Sequence, residues 1–143
     1  MSDLHGYYLE DLEVGMSASF AKTVSESDVY TFAGITGDNN PVHINAEFAA
    51  ETLFKERIVH GMFSAGLISA VLGTRLPGPG AIYLDQNLKF KAPVKFGETV
   101  TATATVEEID AKRRRVKLRT TCTVAGKVVA DGAATIMVDS REN

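Results

Sequence analysis

The sequence predicts an α+β fold: a strongly curved antiparallel β-sheet wrapped around one long central helix. Three observations carry this. The stretch Gly61 to Gly73 is apolar or small on every side, the mark of a buried helix. Three segments in the C-terminal half alternate in polarity, at 98–109, 116–124 and 127–138, and read as a meander of antiparallel strands. The chain has 143 residues, the size of one ordinary domain. Helix and meander must therefore share one core, and one domain is expected over 1–143.

The elements follow in order. Residues 16–24 read as a first strand. Ser25-Glu26-Ser27-Asp28 is a capping-box pattern, a hydroxyl followed three residues later by an acid. It precedes Val29, Tyr30, Phe32, Ala33 and Ile35, so a short helix is expected from about Ser27 to Thr36, stopped by Gly37. Residues 46–54 read as another short helix, with Phe48, Ala49, Leu53 and Phe54 supplying apolar faces. The helix at 61–73 would reach about 20 Å at the usual rise. Leu76-Pro77-Gly78-Pro79-Gly80 ends it, and 81–94 reads as a long strand. The meander's strands are joined by turns at Asp110-Ala111-Lys112 and Ala125-Gly126.

Composition narrows the function. Apolar residues make up 45% of the chain, charged residues 23%, and the net charge is −3; this is a globular balance with no basic surplus for a nucleic acid. No apolar run approaches the ~20 residues a membrane helix needs. Met1-Ser2-Asp3-Leu4-His5 lacks the basic and apolar regions of a signal peptide. The single cysteine, Cys122, has no internal disulfide partner and sits in an alternating segment, so it reads as a core thiol in a reducing compartment. A cytoplasmic protein is expected, with no membrane partner. His5, His43 and His60 are the three histidines, and no His-x-x-x-His or Cys-x-x-Cys spacing occurs. No metal and no cofactor are therefore expected.

The segment with most chemistry is Gly37-Asp38-Asn39-Asn40-Pro41-Val42-His43-Ile44-Asn45. It sets a carboxylate and an imidazole five residues apart. Pro41 lacks an N–H and pushes Asn40 out of helical geometry, so no helix is expected to run through the segment. Asp38 and His43 should meet across a rigid turn, where an acid and a group that titrates near neutrality can act together. Clusters of Asp, Asn and Pro are also ordinary turn chemistry, so the case depends on the rest of the chain.

That remainder resembles a known family. Ala33-Gly34-Ile35-Thr36-Gly37-Asp38-Asn39-Asn40-Pro41-Val42-His43 is followed by Ile58-Val59-His60-Gly61-Met62 at the start of the buried helix. Then come Leu76-Pro77-Gly78 and Tyr83-Leu84-Asp85-Gln86-Asn87-Leu88-Lys89-Phe90. Together these look like the R-specific enoyl-CoA hydratases, the MaoC-like branch of the hot-dog fold, over about Asp11 to Val138. The resemblance implies a homodimer, or a dimer of dimers, with sites at the subunit interface. It implies hydration of trans-2-enoyl-CoA to (R)-3-hydroxyacyl-CoA and the reverse dehydration, with an acyl-CoA substrate. Asp38 and His43 match the family's catalytic aspartate and histidine. Gly61 matches the residue whose N–H meets the thioester oxygen, and Ser69 a helix serine that supports the site.

These residue types suit the reaction. Water is a poor nucleophile, and enolate charge gathers on the thioester oxygen. Asp38 can take a proton from a bound water; His43 can hold that water and deliver a proton to the α-carbon. Which of the two makes which transfer is open at this stage. Gly61 at a helix N-terminus offers an orphan N–H, reinforced by the helix dipole, and no side chain in the substrate's way. Ser69 could equally bond the carbonyl one turn back.

Other residues read as structure. His60 is expected to pack at the helix entry, Asn40 and Asn45 to order turns, and Tyr83 and Gln86 to pack on their strand, near an acyl pocket. Lys112-Arg113-Arg114-Arg115 reads as a solvated hairpin tip. Lys89, Lys91 and Lys95 are candidates for CoA phosphates with none preferred. Leu67, Ile68 and Val71 are expected to set acyl length. Three alternatives stand beside the hydratase: a dehydratase of acyl-carrier-protein thioesters, a non-catalytic acyl-thioester-binding subunit, and a thioesterase.

Overall fold

The computed structural model describes residues 2–142; Met1 and Asn143, the ends of the expected 1–143 domain, lie outside them. Five strands form one antiparallel sheet: β1 (Ser17–Thr23), β2 (Ile82–Phe90), β3 (Thr99–Asp110), β4 (Arg115–Val124) and β5 (Lys127–Met137), in the order β1-β3-β4-β5-β2. Four α-helices accompany it: α1 (Glu26–Thr36), α2 (Pro41–Ile44), α3 (Ala46–Ala50) and α4 (Gly61–Thr74). The strands β3, β4 and β5 are the expected meander.

Alternation builds the core. Val100, Ala102, Ala104 and Val106 of β3 and Val116, Leu118, Thr120 and Cys122 of β4 are buried. All but Thr120 form one cluster with Leu67, Ile68, Val71 and Leu72 of α4, and the strands leave polar neighbours to solvent. Each large aliphatic buried there contributes about 1.5–3 kcal/mol. Burial also pushes the Cys122 thiol up to about 11, so it stays protonated and inert, as a core thiol should.

One glycine is required by close approach. A Cβ on Gly132 of β5 would stand 1.9 Å from the Asn87 carbonyl oxygen of β2. The two backbones can come together there only without a side chain. Gly132→Ala should cost several kcal/mol in urea unfolding, beyond the ~1–3 kcal/mol of ordinary overpacking, because the obstacle is main chain.

Several boundaries differ from expectation, each for a local reason. Ser25 caps α1 and exchanges hydrogen bonds with Asp28 as the capping box requires, so the helix begins at Glu26. The expected helix over 46–54 ends at Ala50, and the Thr52 hydroxyl donates to the Ala49 carbonyl in its place. The strand expected to reach Val94 stops at Phe90, ahead of Pro93, which has no N–H for a ladder. The hairpin after β3 runs through Arg114, at φ 54°, so three of the four basic residues sit on the turn. The helix α4 is not buried all round: Met62, Gly66 and Ser69 are exposed in the chain described.

The chain ends form a strap. The His5 ring stacks on Tyr8 at 4.0 Å, donates from Nδ1 to the Gly6 carbonyl, and donates from Nε2 to Asp139. Both partners are acceptors, so the full set of bonds needs the doubly protonated ring. The hydrogen bond to Asp139 raises the His5 pKa above 6.5. The strap's contribution is therefore complete below about pH 6.5 and fades as pH rises through the folded pKa. Melting temperatures of wild type and His5→Ala should differ more at pH 6 than at pH 9; a constant difference would contradict this.

Candidate active site

The Asp38–His43 segment folds as two short pieces. Gly37 ends α1 in the left-handed conformation, at φ 81°, which glycine adopts without strain. Asp38 follows, its N–H donating to the Thr36 hydroxyl. Pro41 then opens α2 at its first turn, where a missing N–H costs nothing, and the Asn40 side chain caps it by accepting from the Val42 N–H at 3.1 Å. No helix runs through the segment, as expected; Pro41 instead starts a single turn that carries His43. Asn45 caps α3 by accepting from the Phe48 N–H. Both asparagines order turns, as their residue type suggests.

Residue His43 is buried, with 8% of its surface exposed. Its Nδ1 lies 2.8 Å from the Ile58 carbonyl. A carbonyl only accepts, so Nδ1 carries the hydrogen and the neutral ring leaves Nε2 bare. Burial lowers the His43 pKa below 6.5, a drop opposed by the Ile58 bond and the nearby Asp38 carboxylate and reinforced by His60. His43 is thus a neutral base at physiological pH. Its helix is held from α1, where the Tyr30 hydroxyl donates to the Ile44 carbonyl and receives from Arg57, itself paired with Glu26 at 2.7 Å.

The expected pair meets. One side-chain ligand atom from each of Asp38, His43 and His60 lies within 4.8 Å of the other two. The third member is the residue expected only to pack. His60 does pack at the entry of α4, being 1% exposed, but its ring also stacks on His43 at 3.8 Å with planes 27° apart. Among the described residues, this trio is the group that could hold a metal ion. Near-parallel rings direct their in-plane lone pairs side by side rather than toward one point, which suits a chelate poorly.

The donors of α4 complete the site. Gly61 is the first residue of the helix, and His60 provides no side-chain cap. The Gly61 N–H therefore has no intrahelical acceptor. A Cβ there would meet the Phe90 ring at 2.9 Å, so a larger residue would have to displace that ring, while glycine leaves room for an approaching ligand.

Two cavities border Asp38. The first, about 470 Å³, includes Gly61, His60, Phe54, Phe90 and Lys91. The second, about 560 Å³, is walled by Ala65, Gly66 and Ser69 of α4 and by Tyr83 and Gln86 of β2. Ser69 is therefore on a cavity wall with Asp38, while Gly61 opens on the other side. Leu67, Ile68 and Val71, expected to set acyl length, are instead core residues facing the sheet; the helix turns Met62, Ala65, Gly66 and Ser69 to the cavity, at helical spacing. Gln86 is fixed there by donating to the Thr120 hydroxyl at 2.9 Å and accepting from Tyr83. Burial raises the Tyr83 pKa. Of the three candidate lysines, Lys91 borders a cavity, while Lys95 pairs with Glu56 at 3.3 Å.

The chain is similar to known proteins in sequence and fold. The family model for the MaoC-like domain matches residues 11–128. An (R)-specific enoyl-CoA hydratase of Rhodospirillum rubrum is 63% identical over 97% of this chain and 96% of its own. A 3-hydroxybutyryl-CoA dehydratase of Methylorubrum extorquens is 51% identical over 99% of this chain and 90% of its own. The unliganded R-hydratase of Pseudomonas aeruginosa superposes with a TM-score of 0.88 at 46% identity, covering 94% of this chain and 86% of that one. With a sheet wrapped on α4 and the Asp38–His43 turn at its N-terminus, the chain belongs to the MaoC-like family and has its hot-dog fold.

Proposed function

We propose that the protein hydrates trans-2-enoyl-CoA to (R)-3-hydroxyacyl-CoA, and dehydrates it in reverse, with Asp38 and His43 acting on one water. The observation that carries the reading is a neutral, Nδ1-protonated His43 beside the Asp38 carboxylate, at the mouth of a helix whose Gly61 N–H has no intrahelical acceptor. Relatives named for this chemistry support it.

The tautomer divides the labour. A bare Nε2 can accept a proton but has none to give at the start. Water therefore binds between Asp38 and His43 and loses a proton to Nε2 as its oxygen attacks the β-carbon. The α–β π electrons move onto the thioester oxygen, where the Gly61 N–H stabilises the enolate. The imidazolium then returns the proton from Nε2 to the α-carbon, the enolate collapses, and His43 is neutral again. One water supplies both OH and H, from one face. Asp38 orients the water and stabilises the transient imidazolium. The chemistry asks for no metal or redox cofactor.

The cavities suggest how the substrate lies. With the thioester oxygen at Gly61, the pantetheine arm takes the side of Lys91 and the acyl chain the side of Ser69, whose hydroxyl flanks it. A homodimer fits the same geometry. Nearly every residue of β2 is exposed, at the sheet edge, including Ile82, Tyr83, Leu84 and Phe90. An unpaired edge of this kind invites strand addition, and a second copy there would close the Ser69 cavity. A cytoplasmic location suits a reduced Cys122 and acyl-CoA chemistry; no helix among the described residues is long and apolar enough to cross a membrane.

Rates on crotonyl-CoA and crotonyl-acyl-carrier protein test the substrate class. The reading requires faster turnover of the CoA thioester. Preference for the carrier thioester would make the protein a carrier-protein dehydratase. Release of free thiol would make it a thioesterase, and tight binding without turnover a silent subunit. The pH profile adds a sign: kcat/KM should stay flat from pH 8 to about 6.5 and fall only below, because the lowered His43 pKa keeps the base neutral. An acid limb well above pH 6.5 would contradict that assignment.

A further inference from the structure

We propose that His60 is a positioning residue of the hydration reaction, one imidazole that fixes Asp38 through its main chain and His43 through its ring face. The inference rests on the hydratase reading. Its ground is that His60 touches all three parts of the site. Nε2 lies 2.9 Å from the Asp38 carbonyl oxygen. The ring covers one face of His43, with centroids 3.8 Å apart, and Phe32 closes over it at 4.8 Å. Its peptide carbon is bonded to the Gly61 nitrogen, and its carbonyl accepts from the Phe63 N–H at 3.0 Å.

The tautomer follows from the partner. The Asp38 carbonyl can only accept, so Nε2 carries the hydrogen, and the neutral ring leaves Nδ1 bare. That Nδ1 is buried without a hydrogen-bond partner among the described residues. Leaving a polar atom buried and unpaired is costly, and a residue serving only to fill space could avoid it with an apolar ring. The groups facing His43 are Asp38 from the turn and His60 from the start of α4. The Arg57–Glu26 pair reaches α2 through the Tyr30 hydroxyl.

Two substitutions separate donor from ring. In His60→Gln the longer amide can still donate to the Asp38 carbonyl, but the ring is gone. In His60→Asn the side chain is too short to donate there. For crotonyl-CoA hydration, kcat should fall about 30-fold or more in His60→Asn and recover severalfold in His60→Gln, with KM within about threefold of wild type in both. The acid limb of kcat/KM should move to higher pH in both, since water then reaches the uncovered His43 face. A readout on the intact protein does not depend on variants folding: ring-nitrogen NMR near pH 7.5 should show His60 with hydrogen on Nε2 and His43 with hydrogen on Nδ1. Folded variants with wild-type kcat and an unmoved acid limb would overturn the proposal, as would a His60 ring protonated on Nδ1. A wild-type protein inactive on crotonyl-CoA would overturn the hydratase reading itself, and this role with it; an active wild type with unchanged variants would overturn this role alone.

Discussion

His43→Asn should lower kcat/KM for crotonyl-CoA by about 10²–10⁴, the usual worth of a general base. Asparagine is the informative choice. Its amide N–H can replace Nδ1 as donor to the Ile58 carbonyl, which His43 holds at 2.8 Å. His43→Ala would leave that carbonyl unpaired and cost about 1–3 kcal/mol of stability, mixing two effects. Asparagine offers no nitrogen base where Nε2 stood, so the water keeps its proton. Asp38→Asn should fall in the same range, with little change in melting temperature, because Asp38 is exposed. The double variant should lose little more than the worse single one, since two groups acting on one water are not additive. Additive losses would mean that the two residues act in separate steps.

Gly61→Pro should cost about 10²–10³ in kcat, the typical worth of one oxyanion donor. Removing a main-chain donor without breaking a helix is seldom possible. Here it is, because Gly61 is the first residue of α4 and proline is well tolerated there. The residue before it already suits a proline: His60 has φ −57° and ψ 135°, the extended conformation that a following proline demands. One obstacle remains, since a Cβ at 61 meets the Phe90 ring at 2.9 Å. Gly61→Ala adds that Cβ and keeps the N–H, so it isolates the steric effect. Phe90→Leu gives the ring room to vanish in both backgrounds. The account expects Gly61→Pro to remain well below Gly61→Ala in kcat with Phe90→Leu present. Equal activity would remove the Gly61 N–H from the mechanism.

Much of this site is legible in the sequence because its signals are local. The cap of α1 is written in Ser25 and Asp28, its stop in Gly37, and the Asp38–His43 turn in Pro41. The meander shows in alternation that depends on one buried face. Where reading fails, the deciding contact is distant. The composition of Ala46 to Phe54 favours helix, yet Phe48 and Leu53 find no core and stay exposed, and the helix ends at Ala50. Leu67, Ile68 and Val71 look equivalent to Met62, Ala65 and Gly66 when a helix is apolar on all sides. Only the sheet's position shows which face is core and which borders a cavity. The part of His60 is hidden for the same reason. Its partners are the Asp38 carbonyl, 22 residues away, and the ring of His43, and no spacing announces a stack across two helix starts.

The most direct measurement follows absorbance of the enoyl-thioester band as purified wild-type protein acts on crotonyl-CoA, with the product offered separately to R- and S-specific 3-hydroxyacyl-CoA dehydrogenases. The account predicts loss of the band and oxidation by the R-specific enzyme alone. Loss of the band with an S product would contradict the facial arrangement of Asp38, His43 and Gly61, and no loss with crotonyl, hexenoyl and octenoyl thioesters would contradict the hydratase reading.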